Sequence, residues 1–285
     1  RDGRTVRSGG RVVSGNRIAR WAGYVAFAIV FAVACGFLSN WQFSRSADRN
    51  AELALIAANY DADAAPLDEL VTADGALSPE DEWRQVELVG TYLHADQLLV
   101  RNRPHGGTSA FEVLVPFRLE DGRVVIVDRG WVAPGKEQPE PDVIPAAPEG
   151  TTTVVVRLRE TEPLPSSGRS APDGQVPTIH VPTIAETIEE PTTLTGLYGL
   201  MVSEQPAPAD RPQALDRPSD DPGSHLSYAI QWILFAVMGF GFVWYMIRTE
   251  RRHRREEAEG RAPSEPKRRR DRDMQEEDEL LDSVR

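Results

Sequence analysis

The sequence has little cysteine, methionine, histidine or lysine. Among its 285 residues are one cysteine, four methionines and five histidines, and Lys136 and Lys267 are its only lysines. With Cys35 as the single thiol, the chain has neither an internal disulfide nor a thiolate-held metal. A copper carrier needs closely spaced soft ligands, and no such cluster of Cys and Met occurs. These shortages exclude disulfide-stapled folds, thiol redox enzymes and copper carriers.

Sequence motifs of common catalytic sites are also missing. No G-x-S-x-G nucleophile elbow and no Gly-rich phosphate loop occurs. Acidic residues are abundant, with a formal net charge of -12, but no pair of carboxylates stands out from a solvated surface. These absences count against hydrolases, kinases and thiol redox enzymes. An enzyme would need a cleft of convergent polar groups, which the sequence does not reveal.

Two long apolar runs are present, one near each end of the printed sequence. Residues 21–38 read WAGYVAFAIVFAVACGFL and residues 226–247 read LSYAIQWILFAVMGFGFVWYMI. At about 1.5 Å per residue each run can cross about 30 Å of hydrocarbon as a helix, which satisfies its backbone internally. We predict membrane-spanning helices over 20–40 and 225–247. The alternative is a pair of buried core helices.

Basic residues lie outside both spans and predict their orientation. Six arginines precede the first span, and five follow the second within residues 248–255. In the intervening segment, only Arg45 and Arg49 lie close to the end of a span. The positive-inside rule then places both termini in the cytoplasm and 41–224 outside a plasma membrane. We predict that the basic arm 1–19 and the charged tail 248–285 are disordered.

The segment between the spans is dominated by strand patterns. We predict strands at 84–92, 97–101, 111–119, 123–132, 151–161, 179–181 and 197–202. Asp121-Gly122 is typical of a hairpin turn, and a short helix should begin after Pro182. Helical spacing continues over 41–60 before an acidic loop. The fold class is therefore a membrane α+β protein, in which two spans flank a mainly antiparallel β-rich domain with a few short helices.

The start of the second span carries a cluster of polar and aromatic residues. At 100° per residue His225, Tyr228 and Trp232 fall on one side of the helix, with Gln231 at its margin. An imidazole at membrane-surface depth can ligate haem iron between flanking aromatic rings. An aromatic belt with an interfacial histidine is the alternative. Gly239, further along, would permit close packing.

The end of the first span carries a matching Trp-Gln pair. Trp41 and Gln42 follow the apolar run directly, and Arg45 lies one turn further on. These residues could anchor the helix at the interface. They could equally face the other span or the helix of a partner, since polar side chains in membranes pair with one another.

Arg129 stands in the strand segment V-I-V-D-R-G-W-V at 125–132. An arginine at a strand end could meet a carboxylate or a propionate with two parallel hydrogen bonds. Alternatively, Asp128 and Arg129 could form a structural pair. The residues alone leave both interpretations open.

Six motifs in order resemble one family. They are W-Q-x-x-R at 41–45, V-x-L-x-G-x-Y at 86–92, N-R at 102–103, F-x-V-x-V-P at 111–116, V-D-R-G-W-V at 127–132 and H-L-x-Y-A-x-Q-W at 225–232. Each is weak alone, but their order between two spans is similar to the Surfeit locus protein 1 family of cytochrome c oxidase assembly factors. The resemblance covers about 21–248 and suggests a bacterial, actinobacterial member.

The resemblance implies a non-enzymatic factor that aids insertion of haem A into the oxidase or stabilises a respiratory supercomplex. It implies that His225 is the iron ligand of a transiently held haem A. On this hypothesis a transient pocket between the helix ends holds the haem. The residues expected to line it are Trp41, Gln42, Tyr228, Gln231 and Trp232, and Arg129 could approach a propionate. The expected partners are the membrane subunits of cytochrome c oxidase and the lipid bilayer, and not nucleic acid. A purely structural accessory subunit of a respiratory complex, with no cofactor, is the alternative.

Overall fold

The computed structural model describes residues 12–72, 75–168 and 170–259. Its α-helices are α1 (Val12–Asn59), α2 (Leu67–Leu70), α3 (Val181–Thr187) and α4 (His225–Ala258). Its strands are β1 (Gln85–Tyr92), β2 (Leu98–His105), β3 (Thr108–Leu119), β4 (Val124–Val132), β5 (Thr152–Glu160), β6 (Gln175–Val176) and β7 (Leu197–Gln205). Two long apolar helices thus flank a sheet with a few short helices, which confirms the predicted α+β class.

The two long helices contain the apolar runs. Segments Ala19–Asn59 and His225–Glu256 are long and apolar enough to cross a membrane by length and composition. Residues 12–19, which we predicted to belong to a disordered arm, form the first turns of α1. Extending an existing helix costs little because each added residue makes one more backbone hydrogen bond. Residues 1–11 of that arm lie outside the described residues.

The charged end of α4 is helical as well. Residues 248–258, predicted to begin a disordered tail, continue the helix without a break. Two ion pairs at i,i+4 spacing stabilise this part, Arg254–Glu250 at 2.9 Å and Arg252–Glu256 at 3.0 Å. The sequence interpretation underestimated the effect of alternating charges on one helix face. Residues 260–285 lie outside the described part of the chain.

Contacts divide the chain into two compact units. One unit is Ala47–Pro222, which contains the sheet and the last turns of α1. The other contains the earlier part of α1 together with α4. Each unit has its own packing.

The seven strands form a sheet in the order β1-β5-β7-β4-β3-β2-β6. Strand β1 also pairs with the end of β3, so that five strands, β1, β5, β7, β4 and β3, close into a barrel. The β4–β7 and β2–β6 pairs are parallel and the others antiparallel. The predicted mainly antiparallel arrangement is confirmed.

Gly90 lies where the barrel closes. It pairs with Thr152 of β5 and also with Leu119 of β3, and a Cβ at this position would lie 2.0 Å from the Arg118 carbonyl oxygen. Only glycine permits so close an approach of two strands. The glycine of the V-x-L-x-G-x-Y motif is therefore required by the closure of the sheet.

The sheet has apolar residues on both of its faces in β3 and β4. Strand β5 alternates buried and half-buried positions, whereas β4 is buried at eight of its nine positions. The barrel interior covers one face. Residues around α3, among them Val181 and Ile184, cover the other by packing on Leu114 and Ile126. Strands buried on two faces lose the alternating pattern of a half-exposed strand.

The strand predicted at 179–181 is wrong. The strand in this region is β6, which pairs in parallel with Leu99 and Val100. Around 179–181 side chains, and not a neighbouring strand, accept the backbone hydrogen bonds. The Ile179 N–H donates to Glu162 Oε2 at 2.9 Å, and the Thr183 N–H donates to His180 Nδ1 at 3.3 Å, which caps α3. Backbone groups satisfied by local side chains favour a cap over a strand.

Candidate functional site

Helices α1 and α4 pack along a seam of small side chains. Buried and half-buried residues recur at alternating spacings of three and four along both helices, which is the pattern of coiled-coil packing. In α1 they are Ala28, Ala32, Cys35, Ser39 and Gln42, and in α4 His225, Ala229, Trp232, Ala236, Gly239, Val243 and Met246. Alanine, serine and glycine at a seam let two helices approach closely where lipid supplies no hydrophobic driving force.

Individual contacts show that the two helices are antiparallel. The Ser39 hydroxyl donates to the Ala229 carbonyl at 2.9 Å, and Cys35 and Ala229 are 1% and 0% exposed. A Cβ built on Gly239 would lie 3.3 Å from Phe31 Cδ1, so Gly239 is a point of close packing, as predicted. Cys35 packs in this seam as a small apolar side chain.

His225 and Gln42 meet at one end of the seam. The His225 Nδ1 lies 3.0 Å from Gln42 Oε1 in a half-buried contact. An amide oxygen only accepts hydrogen bonds, so this contact places the proton of the neutral imidazole on Nδ1. The Nε2 atom then keeps its lone pair, which is the form that binds a metal. A Cβ at Gly223 would lie 3.8 Å from Nε2, an ordinary van der Waals distance.

The donor set around His225 suits one kind of metal centre. Among residues 12–72, 75–168 and 170–259, no three His, Cys, Asp or Glu side chains gather as a metal site. A single imidazole cannot hold a bare ion, which takes several protein ligands. Haem iron already has four ring nitrogens and needs one axial ligand from the protein. One imidazole would thus suit the axial position of a haem better than a free metal ion, and haem binding at His225 stays a prediction.

The other residues predicted for the haem site are distributed over several faces. Trp232 belongs to the seam and packs edge-to-face on Phe235, with ring centroids 5.7 Å apart. Trp41, Tyr228 and Gln231 are exposed, the first two by 53% and 49% of their surfaces. Because Gln231 is exposed, it is not the partner of Gln42; Gln42 pairs with His225. The role of the three exposed residues toward a cofactor stays a prediction.

Arg129 lies in the other unit, in the interior of the sheet. Its side chain is 0% exposed; it donates from Nη2 to Glu204 Oε1 at 2.7 Å and from Nη1 to the Pro145 carbonyl at 2.9 Å. The Tyr92 hydroxyl also donates to Glu204, at 3.0 Å, and burial, followed by the charge of Glu204, raises the pKa of Tyr92. Arg129 is thus paired inside the fold, and its partner is Glu204 and not Asp128, which was one of the two interpretations of the sequence. The contact of Arg129 with a propionate stays a prediction.

Asp128 is a second buried charge-bearing residue, and it does not pair with Arg129. Its Oδ1 accepts from the Gly130 N–H at 2.9 Å, and Oδ2 is buried with no hydrogen-bond partner among the described residues. Burial, and then the negative charge of Glu112, raise the pKa of Asp128 well above its usual range, and Arg103 offsets part of this effect. Folding therefore makes Asp128 harder to ionise than it is in the unfolded chain.

A network of ion pairs borders Asp128. Arg103 contacts Glu112 and Glu162 at 2.7 Å each, and His105 Nε2 lies 2.9 Å from Glu112 Oε1. Burial by itself would lower the pKa of Arg103, but the two glutamates raise it. The sequence analysis noted Arg103 only as part of a motif and missed its partners. A charged residue inside an apolar strand, such as Glu112 in β3, was the available signal.

We predict that Arg129→Ala destabilises the protein by about 3–5 kcal/mol, because it leaves Glu204 buried and unpaired. Thermal unfolding of the full chain in detergent, followed by near-UV circular dichroism, measures the effect. The double variant Arg129→Met/Glu204→Leu should lose less than Arg129→Ala, since no charge remains buried. Arg252→Met, in an exposed pair, should change the stability by less than about 1 kcal/mol. Equal losses in the single and double variants would contradict a buried pair.

We predict that Asp128→Asn stabilises the protein at neutral pH. Because folding raises the pKa of Asp128, its stabilising contribution is full below its unfolded pKa of about 4 and is lost as the pH rises toward the folded value. The amide imitates the protonated acid, so the advantage of the variant should grow with pH between 4 and 8 in thermal unfolding.

Asp121→Asn is the control with the opposite sign. A hydrogen bond from Arg123 lowers the pKa of Asp121, so its carboxylate stabilises the wild type above the unfolded pKa of about 4 and loses this effect as the pH falls through the folded value. Asp121→Asn should therefore be less stable than the wild type by a constant amount above pH about 4, and the difference should shrink at lower pH. A pH-independent difference between Asp128→Asn and the wild type would show that Asp128 does not titrate differently on folding.

Comparisons with known proteins agree on one family. The model of the SURF1 family matches residues 29–237. An uncharacterized SURF1-like protein of Mycobacterium bovis is 33% identical over 251 residues, which cover 86% of this chain and 90% of that protein. SURF1-like proteins of two Mycobacterium tuberculosis strains match with the same figures.

A eukaryotic relative is more distant. The cytochrome oxidase assembly protein SHY1 of Saccharomyces cerevisiae is 28% identical over 105 residues, 36% of this chain and 26% of that protein. The family match spans both ends of the sheet unit and reaches into each long helix, including His225 and Gln42. Together with two helices able to cross a bilayer and the six motifs in order, these matches show that the chain is a member of the SURF1 family.

Proposed function

We propose that this protein is an assembly factor for cytochrome oxidase that holds haem A at His225 before the haem enters the oxidase. Membership of the SURF1 family and the oxidase assembly role named for the yeast relative support the general role. The observation that supports the haem site is the hydrogen bond between His225 Nδ1 and Gln42 Oε1. It fixes the imidazole in the tautomer whose Nε2 is ready to bind iron.

Haem A is the cargo in this proposal, and its iron accepts one axial nitrogen. Gln42 orients the imidazole, and the small residues of the seam hold the helix that carries Gln42 against the helix that carries His225. The exposed rings of Trp41 and Tyr228 offer flat apolar surfaces to a macrocycle. A single ligand in a half-buried site binds weakly enough to allow transfer, which suits a carrier better than a permanent haem protein.

The partner in this proposal is the membrane part of the oxidase. Both long helices cross the plasma membrane, and the sheet unit lies outside the cytoplasm. The arginines that precede the first span and follow the second support this orientation, because basic residues favour the cytoplasmic side. Exposed apolar side chains along α4, such as Ile233, Leu234 and Val237, are available to neighbouring membrane helices.

We predict that His225→Ala abolishes haem retention by the full chain purified from cells that make haem A. The loss of the axial nitrogen should remove the Soret absorption band of the purified protein. His94→Ala is the matched control, because His94 is an exposed histidine of the sheet unit, and it should keep the band. Recovery of oxidase subunits with the tagged protein is measured in parallel.

Gln42 variants separate ligation from general damage to the helix pair. Gln42→Glu keeps an acceptor for Nδ1–H and should retain the band with a shifted maximum. Gln42→Leu removes the acceptor and should weaken haem binding by about 10–100-fold. Wild-type protein that recovers oxidase subunits without any haem would favour a purely structural accessory subunit. Recovery of no oxidase subunit would contradict the assembly role.

We predict that the sheet unit is outside the cytoplasm and the end of α4 inside. His94 and His253 are both exposed, and Cys35 is buried. A cysteine introduced at 94 or at 253 therefore reports on which side of the membrane that position lies. A membrane-impermeant maleimide applied to intact cells should label His94→Cys and not His253→Cys. After lysis both should react, and the wild-type chain should not. Labelling of His253→Cys in intact cells would contradict the orientation.

A further inference from the structure

An apolar groove lies between α1 and α4 at the end of the seam away from His225. It has a volume of about 690 Å³. Its walls include Phe27, Phe31, Phe242 and Met246, and Arg20 is the single charged residue that lines it. The groove is separate from the His225–Gln42 contact, and its role does not rest on haem binding.

The length of the groove matches one leaflet of a bilayer. Along α1 it extends from Arg20 to Phe31, about 16 Å, and along α4 from Gly239 to Met246, about 10 Å, at 1.5 Å per residue. The hydrocarbon core of a bilayer is about 30 Å thick, so one leaflet contributes about 15 Å. An acyl chain lying in the groove would therefore extend along its full length without crossing into the other leaflet.

The lining of the groove indicates the kind of occupant. Apart from Arg20, every residue that lines it is apolar, aromatic or glycine. A hydrocarbon chain would therefore meet apolar surface along the whole groove. Glycine at position 23 helps to keep it open, since a Cβ there would meet no atom within 4 Å.

Charge at the mouth selects the head group. Arg20 directly precedes the apolar run, and Trp21 and Tyr24 pack edge-to-face beside it at 5.7 Å. Tryptophan and tyrosine in this position are typical of the interface where lipid phosphates lie. A guanidinium binds phosphate through paired hydrogen bonds, and it attracts a lipid with net negative charge more than a zwitterionic one.

We infer that this groove is a binding site for an anionic phospholipid, with one acyl chain between α1 and α4 and the phosphate at Arg20. The lipid fills the apolar space that the aromatic side chains leave at this end of the seam. It thereby completes the packing of the helix pair where the small residues that hold the two helices together give way to phenylalanines.

The test is native mass spectrometry of the full chain in detergent with equal amounts of phosphatidylglycerol and phosphatidylcholine of the same acyl chains. The wild type should retain one phosphatidylglycerol with a preference of about fivefold, as expected for one arginine at the phosphate. Arg20→Gln should reduce that preference to about onefold. Gly23→Leu should remove the retained lipid, because its side chain enters the groove.

Gly36→Leu is the matched control on the same helix. A Cβ at Gly36 also meets no atom within 4 Å, but Gly36 does not line the groove, and this variant should retain lipid like the wild type. Equal retention by Gly23→Leu and the wild type, or equal binding of both lipids by the wild type, would overturn the inference. Loss of co-purifying oxidase subunits by Gly23→Leu with unchanged lipid retention would assign the groove to a partner protein.

Discussion

The close approach of α1 and α4 along small side chains is the contact on which both functional proposals depend. Cys35, Ser39 and Ala229 are nearly inaccessible and set the distance between the two helices. At one end this distance lets Gln42 reach His225. At the other end phenylalanines prevent an equally tight fit, and a groove remains. Because helix association in lipid depends on packing and hydrogen bonds, the same few residues serve as an anchor and as a scaffold.

The sheet unit buries several charge-bearing residues. Arg129 and Glu204 are paired inside the barrel, and burial raises the pKa of Asp128, which has no arginine partner among the described residues. Arg129 and Asp128 belong to V-D-R-G-W-V, one of the motifs that first suggested the family. Both are fully buried, so a residue in a family motif can serve the stability of the fold.

The sequence predicted most of the strands because their signals are local. Alternation in β1 and β5 and the Asp121-Gly122 turn depend on neighbouring residues only, and the structure confirms them. The strand at 179–181 failed because Glu162, from a distant segment, binds the backbone there. The closure of the barrel by β1 and β3 could not be predicted, since it joins strands far apart in the chain.

The sequence by itself determined two helices able to cross a membrane, the β-rich class of the segment between them and the family. Each of these follows from local composition, periodicity or the order of motifs. Only the tertiary structure decided that Gln42 is the partner of His225, that Arg129 is buried against Glu204 and that a groove begins at Arg20. These are contacts between residues more than 70 positions apart or spaces between two helices, and their formation depends on how side chains from separate elements pack together.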